Sequence, residues 1–176
     1  SEFAGVESYG VEAHPYIYRI AKAKLNWNYP AEKFKEEALA LLKTAKGKKI
    51  TQTEFPKLIV SCYPLETIQK LEALKRTWLD KKQDEEIKNF NWFIITSILR
   101  TTSPVGTAQW QYIQPNKTKS KVIDPFVAFE SKVNEMYLDM KRTQSRFKNV
   151  VDSIILNEDA RNIQSIPDGW GDLVIT

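Results

Sequence analysis

The chain carries few of the residues that build metal centres or covalent cross-links. Its single cysteine, Cys62, excludes an internal disulfide and a cysteine-based zinc site. Its single histidine, His14, has no second imidazole for a metal site or a triad, and a turn hydrogen bond is its expected role. The glycines are few and scattered. They form no G-x-G-x-x-G loop and no G-x-x-x-x-G-K-[ST] loop, and H-E-x-x-H and G-x-S-x-G are also absent. No hydrolase or metal site can be assembled from what remains. No apolar run is long enough to span a bilayer. The N-terminus has neither a basic nor an apolar leader segment, so no secretory leader is expected and the cytoplasm is the expected compartment.

What is present is an ordinary globular composition, 42% hydrophobic and 27% charged, long enough to bury a core. A formal charge of +4 permits nucleic-acid binding without requiring it.

The chain opens on a short β-prone stretch, Gly5 to Glu12, then the turn Ala13-His14-Pro15. A helix is predicted from Pro15 to Leu25, since proline suits a first helical turn. Pro30 starts a second helix with acids early and lysines late, which Gly47 ends. Leu58 to Tyr63 is a short apolar run. Ile68, Leu71, Leu74 and Trp78 recur at helical spacing, as do Ile87, Phe90, Ile94 and Ile98. After a long polar loop from Thr101 to Lys121, Asp124-Pro125 begins a helix that fades near Arg146. Val150 to Leu156 is again β-rich. The segment Asp172-Leu173-Val174-Ile175-Thr176, behind a Gly-Trp-Gly turn, reads as a buried parallel strand.

The expected fold is therefore α/β. Residues 1–29 are a strand-helix unit of a sheet, residues 30–148 a mainly helical insertion, and residues 149–176 two further strands. Right-handed crossover connections let the two ends share one parallel sheet. The first, penultimate and last strands would form it, with exposed edges that favour a second chain supplying further strands.

Three constellations could carry chemistry. Glu12, just past the first strand, either accepts hydrogen bonds from two ribose hydroxyls or steadies the following helix. Asp159, past the penultimate strand, either accepts from an adenine amine or caps a short turn. In the long loop, Gln109, Trp110, Gln111 and Tyr112 interleave with Lys117, Lys119 and Lys121. Lysines neutralise phosphate, amides read base edges and aromatic faces stack bases. The alternative there is a solvated loop with its aromatics packed inward.

Three segments together resemble the amino-group DNA methyltransferases that use S-adenosylmethionine. Gly10-Val-Glu-Ala-His-Pro15, followed by Ile20-Ala-Lys-Ala-Lys-Leu25, resembles the second cofactor motif of that family and its helix. Ile98-Leu-Arg-Thr-Thr-Ser-Pro104 through Trp110-Gln-Tyr112, Pro115-Asn-Lys117, then Asp124-Pro-Phe126 with Ala128-Phe129, resembles an internal block of one branch of DNA methylases. Asp159-Ala-Arg161, Ile166-Pro-Asp-Gly169 and Asp172-Leu-Val-Ile-Thr176 resemble the lead-in to the catalytic strand.

The resemblance implies a partial Rossmann-like methyltransferase sheet with a helical insertion. The implied function is transfer of a methyl group to N4 of cytosine or N6 of adenine in DNA, as in restriction-modification systems. Glu12 would hold the cofactor ribose, Pro15 and Tyr16 would pack on its adenine, and Asp159 would take the adenine amine. The central block would face DNA. The Gly-rich first motif of the family and its Ser/Asn/Asp-Pro-Pro-Tyr tetrapeptide, which grips a flipped base, are not among the 176 residues. The expectation is thus an interior part of such an enzyme, inactive alone and with no catalytic residue of its own. The competing expectation is a stand-alone helical module that binds nucleic acid or a partner without catalysis.

Overall fold

A computed structural model describes residues 1–106, 119–148 and 150–175. In order along the chain come β1 (Ser8–Val11), α1 (Pro15–Leu25), α2 (Ala31–Gly47), α3 (Lys57–Cys62), α4 (Leu65–Asp80), α5 (Glu85–Thr102), α6 (Pro125–Arg146) and β2 (Ser153–Leu156). The protein is mostly helical with a small parallel sheet. The chain divides into two units. One joins Ser1–Asn28 to Arg142–Thr176, and the other is Tyr29–Lys141.

The helical unit follows its punctuation. Pro30, Pro56 and Pro64 sit at the N-caps of α2, α3 and α4 with φ near −54°, −53° and −61°. Proline has no N–H to leave unsatisfied, and its fixed φ starts a helix without strain. The other two helices use aspartate. Asp84 Oδ1 accepts from Ile87 N at 2.9 Å ahead of α5, and Asp124 Oδ1 accepts from Phe126 N at 2.9 Å ahead of α6. The apolar stripes of α2, α4, α5 and α6 meet in one core around Phe34, Leu41, Leu74, Phe90, Ile94, Phe129 and Val133. The Phe34 and Phe90 rings meet edge to face at 5.2 Å. The apolar run at Leu58 to Tyr63 overlaps α3. That helix buries none of its residues, and Leu58 is 67% exposed.

In the other unit β1 and β2 pair in parallel, with Ser8 opposite Ser153 and Val11 opposite Leu156. Four residues each is short, and side chains lock the register. Ser8 and Ser153 share a hydroxyl hydrogen bond of 2.6 Å, and Glu2 Oε1 accepts from Ser153 N at 3.0 Å. Gly10 lets the Ile155 side chain come close, since a Cβ there would lie 2.8 Å from Ile155 Cδ1. Phe3 stacks on Phe147 at 4.0 Å and meets Trp27 edge-on at 5.4 Å. Tyr9 of β1 meets Trp170 edge-on at 4.7 Å, which brings the C-terminal segment back to the strand.

One expectation is corrected. The segment Asp172 to Ile175 is not a strand, and Leu173, Val174 and Ile175 are 78%, 80% and 86% exposed. A β-branched run becomes a buried strand only when a neighbouring strand takes its backbone hydrogen bonds and another layer covers its side chains. Among the described residues nothing does either, and the sheet has only β1 and β2. The short strand expected at Trp110 to Ile113 lies outside the described residues.

Candidate functional site

Because β1 and β2 are parallel and Val11 faces Leu156, the residues after both strands emerge at the same, carboxyl edge. Glu12 and the loop Asn157-Glu158-Asp159 therefore share one end of the sheet. Such edges hold ligands in open α/β sheets, because side chains there clear the sheet and adjacent helices begin.

The backbone first extends the ladder by one bond, Glu12 N to Leu156 O at 2.9 Å. The chain then turns. Glu12 Oε1 accepts from His14 N at 2.8 Å. His14 caps α1, its Nδ1 accepting from Tyr16 N at 3.2 Å, and Pro15 occupies the first helical position. Asn157 Nδ2 donates to the carbonyls of Glu12 (2.8 Å) and Ala13 (3.3 Å), so the loop after β2 fastens the turn after β1. Glu12 is half-buried, and its Oε2 accepts no hydrogen bond among the described residues. The carboxylate thus keeps an oxygen free for a hydroxyl donor just beyond the strand. Pro15 is exposed and Tyr16 is 45% exposed.

Asp159 stands differently. Its Oδ1 accepts from Arg161 N at 2.9 Å, and the Arg161 guanidinium closes on both oxygens, Nη2 reaching Oδ2 at 2.6 Å. That guanidinium, with the backbone N–H, holds the Asp159 carboxyl below its ordinary range. Asp159 is exposed and committed to its own turn, so a ligand amine would have to displace Arg161. Glu158 is likewise occupied. Its oxygens accept from the Ser165 hydroxyl and from Gln164 N at 2.9 Å, which lower its pKa in that order.

Of the basic loop, Lys119 and Lys121 are described, whereas Gln109, Trp110, Gln111, Tyr112 and Lys117 lie outside the described residues. The Lys119 ammonium donates to the carbonyls of Arg100 and Ser103 (3.1 Å to the latter), and its own N–H reaches Pro104 O at 3.1 Å. It closes the C-terminal end of α5, where cations are favoured. Lys121 is exposed.

Asn157 is not legible from the sequence, since no motif marks a residue whose use is to bridge two turns. Elsewhere, a polar cleft in the helical unit is lined by Lys33, Glu37, Lys82, Gln83, Asp84 and Ile87. Both its carboxylates are already engaged, Asp84 with Lys33 and Glu37 with Lys81, each at 2.8 Å. Among the described residues no group of three or more His, Cys, Asp or Glu is placed to hold a metal, and no helix is long and apolar enough to cross a membrane. Comparison with family models, curated proteins and solved structures finds no match.

Proposed function

We propose that this chain forms part of an S-adenosylmethionine-dependent DNA methyltransferase acting on an exocyclic amine of cytosine or adenine. In this reading the carboxyl edge of β1 and β2 holds the nucleoside end of the cofactor. The observation that carries the reading is the parallel register, which sets the half-buried Glu12, with one oxygen open, beside the loop that bears Asp159. A carboxylate there accepts from vicinal ribose hydroxyls, the role an acid takes past a strand in dinucleotide-binding folds.

The strand pairing supports the same reading. In a doubly wound sheet of order 3-2-1-4-5, the second and third strands are neighbours, and the fourth lies beside the first. β1 and β2 then correspond to the second and third, with α1 and the helical unit in the crossover. In this reading methyl transfer needs a second chain that supplies further strands and the target-base pocket.

The test is titration of the isotopically labelled chain with S-adenosylmethionine, followed by NMR. The expected result is weak binding, about millimolar, with shifts confined to residues 11–16 and 156–161 and abolished in Glu12→Ala. Shifts clustered elsewhere, or none that Glu12→Ala alters, would overturn the assignment. A tight stoichiometric complex would overturn the incomplete-pocket part of it. Under the same reading DNA binds through the region that includes Lys121.

A further inference from the structure

We infer that α3 and the surface beside it form the contact of a homodimer, with α3 of a second copy laid antiparallel across it. The helix buries none of its residues. Leu58, Ile59 and Val60 are all exposed, and successive helical residues are turned by about 100°. The three therefore cover roughly 200° of the helix surface, and α3 stands proud of the helical unit. Its C-terminal end is held in place, because Ser103 Oγ donates to Cys62 O at 2.8 Å and Tyr63 Oη donates to Leu99 O at 2.9 Å. Those bonds bring the exposed side chains of α3 beside that of Leu99, and Leu65 follows just past Pro64. Among the described residues nothing covers this face. Single exposed aliphatics are ordinary, but a run of them on one formed element marks a contact.

The charges along the same stretch select the occupant. Residues 54–70 hold two lysines, Lys57 and Lys70, and two glutamates, Glu54 and Glu66. A face for nucleic acid or for an anionic bilayer needs an excess of cations, and this stretch has none. Lys70 is moreover spent within the chain, on Glu66 and on Asp124, each at 2.6 Å. Lys57 is exposed and has no ion pair among the described residues.

A second copy brings the complement. Lys57 opens α3, whereas the other end of the helix carries the negative pole of its dipole and, past Pro64, the exposed Glu66. Two such helices laid antiparallel about a two-fold axis put each Lys57 at the C-terminal end of α3 in the other copy, near its Glu66, so every attraction is made twice. The apolar part is small. Five exposed side chains on each copy compare with roughly 20–30 residues a side in a standard interface, so the dimer is weak. The contact lies within the helical unit and does not depend on the reading of the carboxyl edge.

The test is sedimentation equilibrium of the full chain from low to high micromolar concentration. The expected result is a monomer–dimer equilibrium with a dissociation constant of about 100 μM. Leu58→Glu changes an exposed side chain, so its circular dichroism should match the wild type while dimerisation weakens at least about tenfold. Lys57→Glu and Glu66→Lys should each weaken it about fivefold, and the two together should restore it. Leu173→Glu, in the other exposed apolar stretch, should leave it unchanged. A chain that stays monomeric, a dimer indifferent to Leu58→Glu, or one lost in Leu173→Glu would overturn the contact. Charge reversals that each weaken the dimer without restoring it together would overturn the antiparallel arrangement.

Discussion

At the scale of single residues, two lysines two positions apart carry different work, and substitution separates them. Lys119 donates to the open carbonyls of Arg100 and Ser103 at the end of α5, whereas Lys121 is exposed. Lys119→Ala removes a charge-assisted C-terminal cap and should lower stability by about 1 kcal/mol. Lys121→Ala should stay within about 0.5 kcal/mol, as solvated surface changes do. Urea denaturation of the two variants decides between these roles, and equal effects would contradict the capping role of Lys119. If the region faces DNA, anisotropy titrations should show Lys121→Ala lowering both affinity and the salt slope. The sequence showed which residue types cluster here, because lysine is legible as charge. It could not show which lysine is consumed by backbone carbonyls, because that depends on where α5 ends in space. The same limit applies to Asp159. Its position past a strand is readable from the pattern, but its capture by Arg161 two residues on is a rotamer outcome.

At the scale of elements, helix boundaries were legible because proline, glycine and aspartate act locally. Pro15, Pro30, Pro64 and Asp124-Pro125 mark starts that the structure uses, and Gly47 marks an end. The last β-prone segment was misread because strand formation is not local: Leu173 to Ile175 has the composition of a strand and no neighbour to pair with. The capping aspartates give a prediction about acid. The Asp84 carboxyl is held below its ordinary value by the Lys33 ammonium first and by the Ile87 N–H as well. Burial pushes Asp124 up, but Lys70 and the Phe126 and Val127 N–H groups outweigh it and its pKa is lowered. A carboxylate with a lowered folded pKa binds its proton more readily in the unfolded chain. Its contribution is complete above the unfolded value of about 3.9 and is lost as pH falls through the folded one. Thermal midpoints should therefore be level above about pH 5 and drop toward pH 3. Asp124→Asn keeps the cap but loses Lys70, which reaches Oδ2 at 2.6 Å, and Asp124→Ala loses both. Alanine should cost about 1 kcal/mol more than asparagine, and calorimetry at pH 7 would show it.

At the scale of the whole molecule, stability is unevenly distributed. Every member of the buried apolar cluster, from Ala31 to Met140, belongs to the helical unit, whereas Ala23 is the one buried apolar residue described in the terminal unit. The terminal unit is held by aromatic contacts such as Phe3 on Phe147 and by side-chain hydrogen bonds onto a two-stranded sheet. A two-stranded sheet with so few buried apolar residues is marginal in water. Its amides should open locally, while those of α2, α4 and α5 exchange only through global unfolding. Native-state hydrogen exchange should show β1 and β2 at least about 100-fold less protected than the core helices. The stronger test is excision. Tyr29–Lys141 contains the complete core and both aspartate caps, so the isolated fragment should keep its helical circular dichroism and unfold cooperatively. Within it Phe34→Ala, at a site with no exposure, should cost about 3–5 kcal/mol. A fragment that binds hydrophobic dye and melts without a transition would show that the helical core depends on the terminal residues. Cooperative unfolding of the fragment would show that the helical unit holds its own stability, and would leave the terminal unit as the part that depends on it.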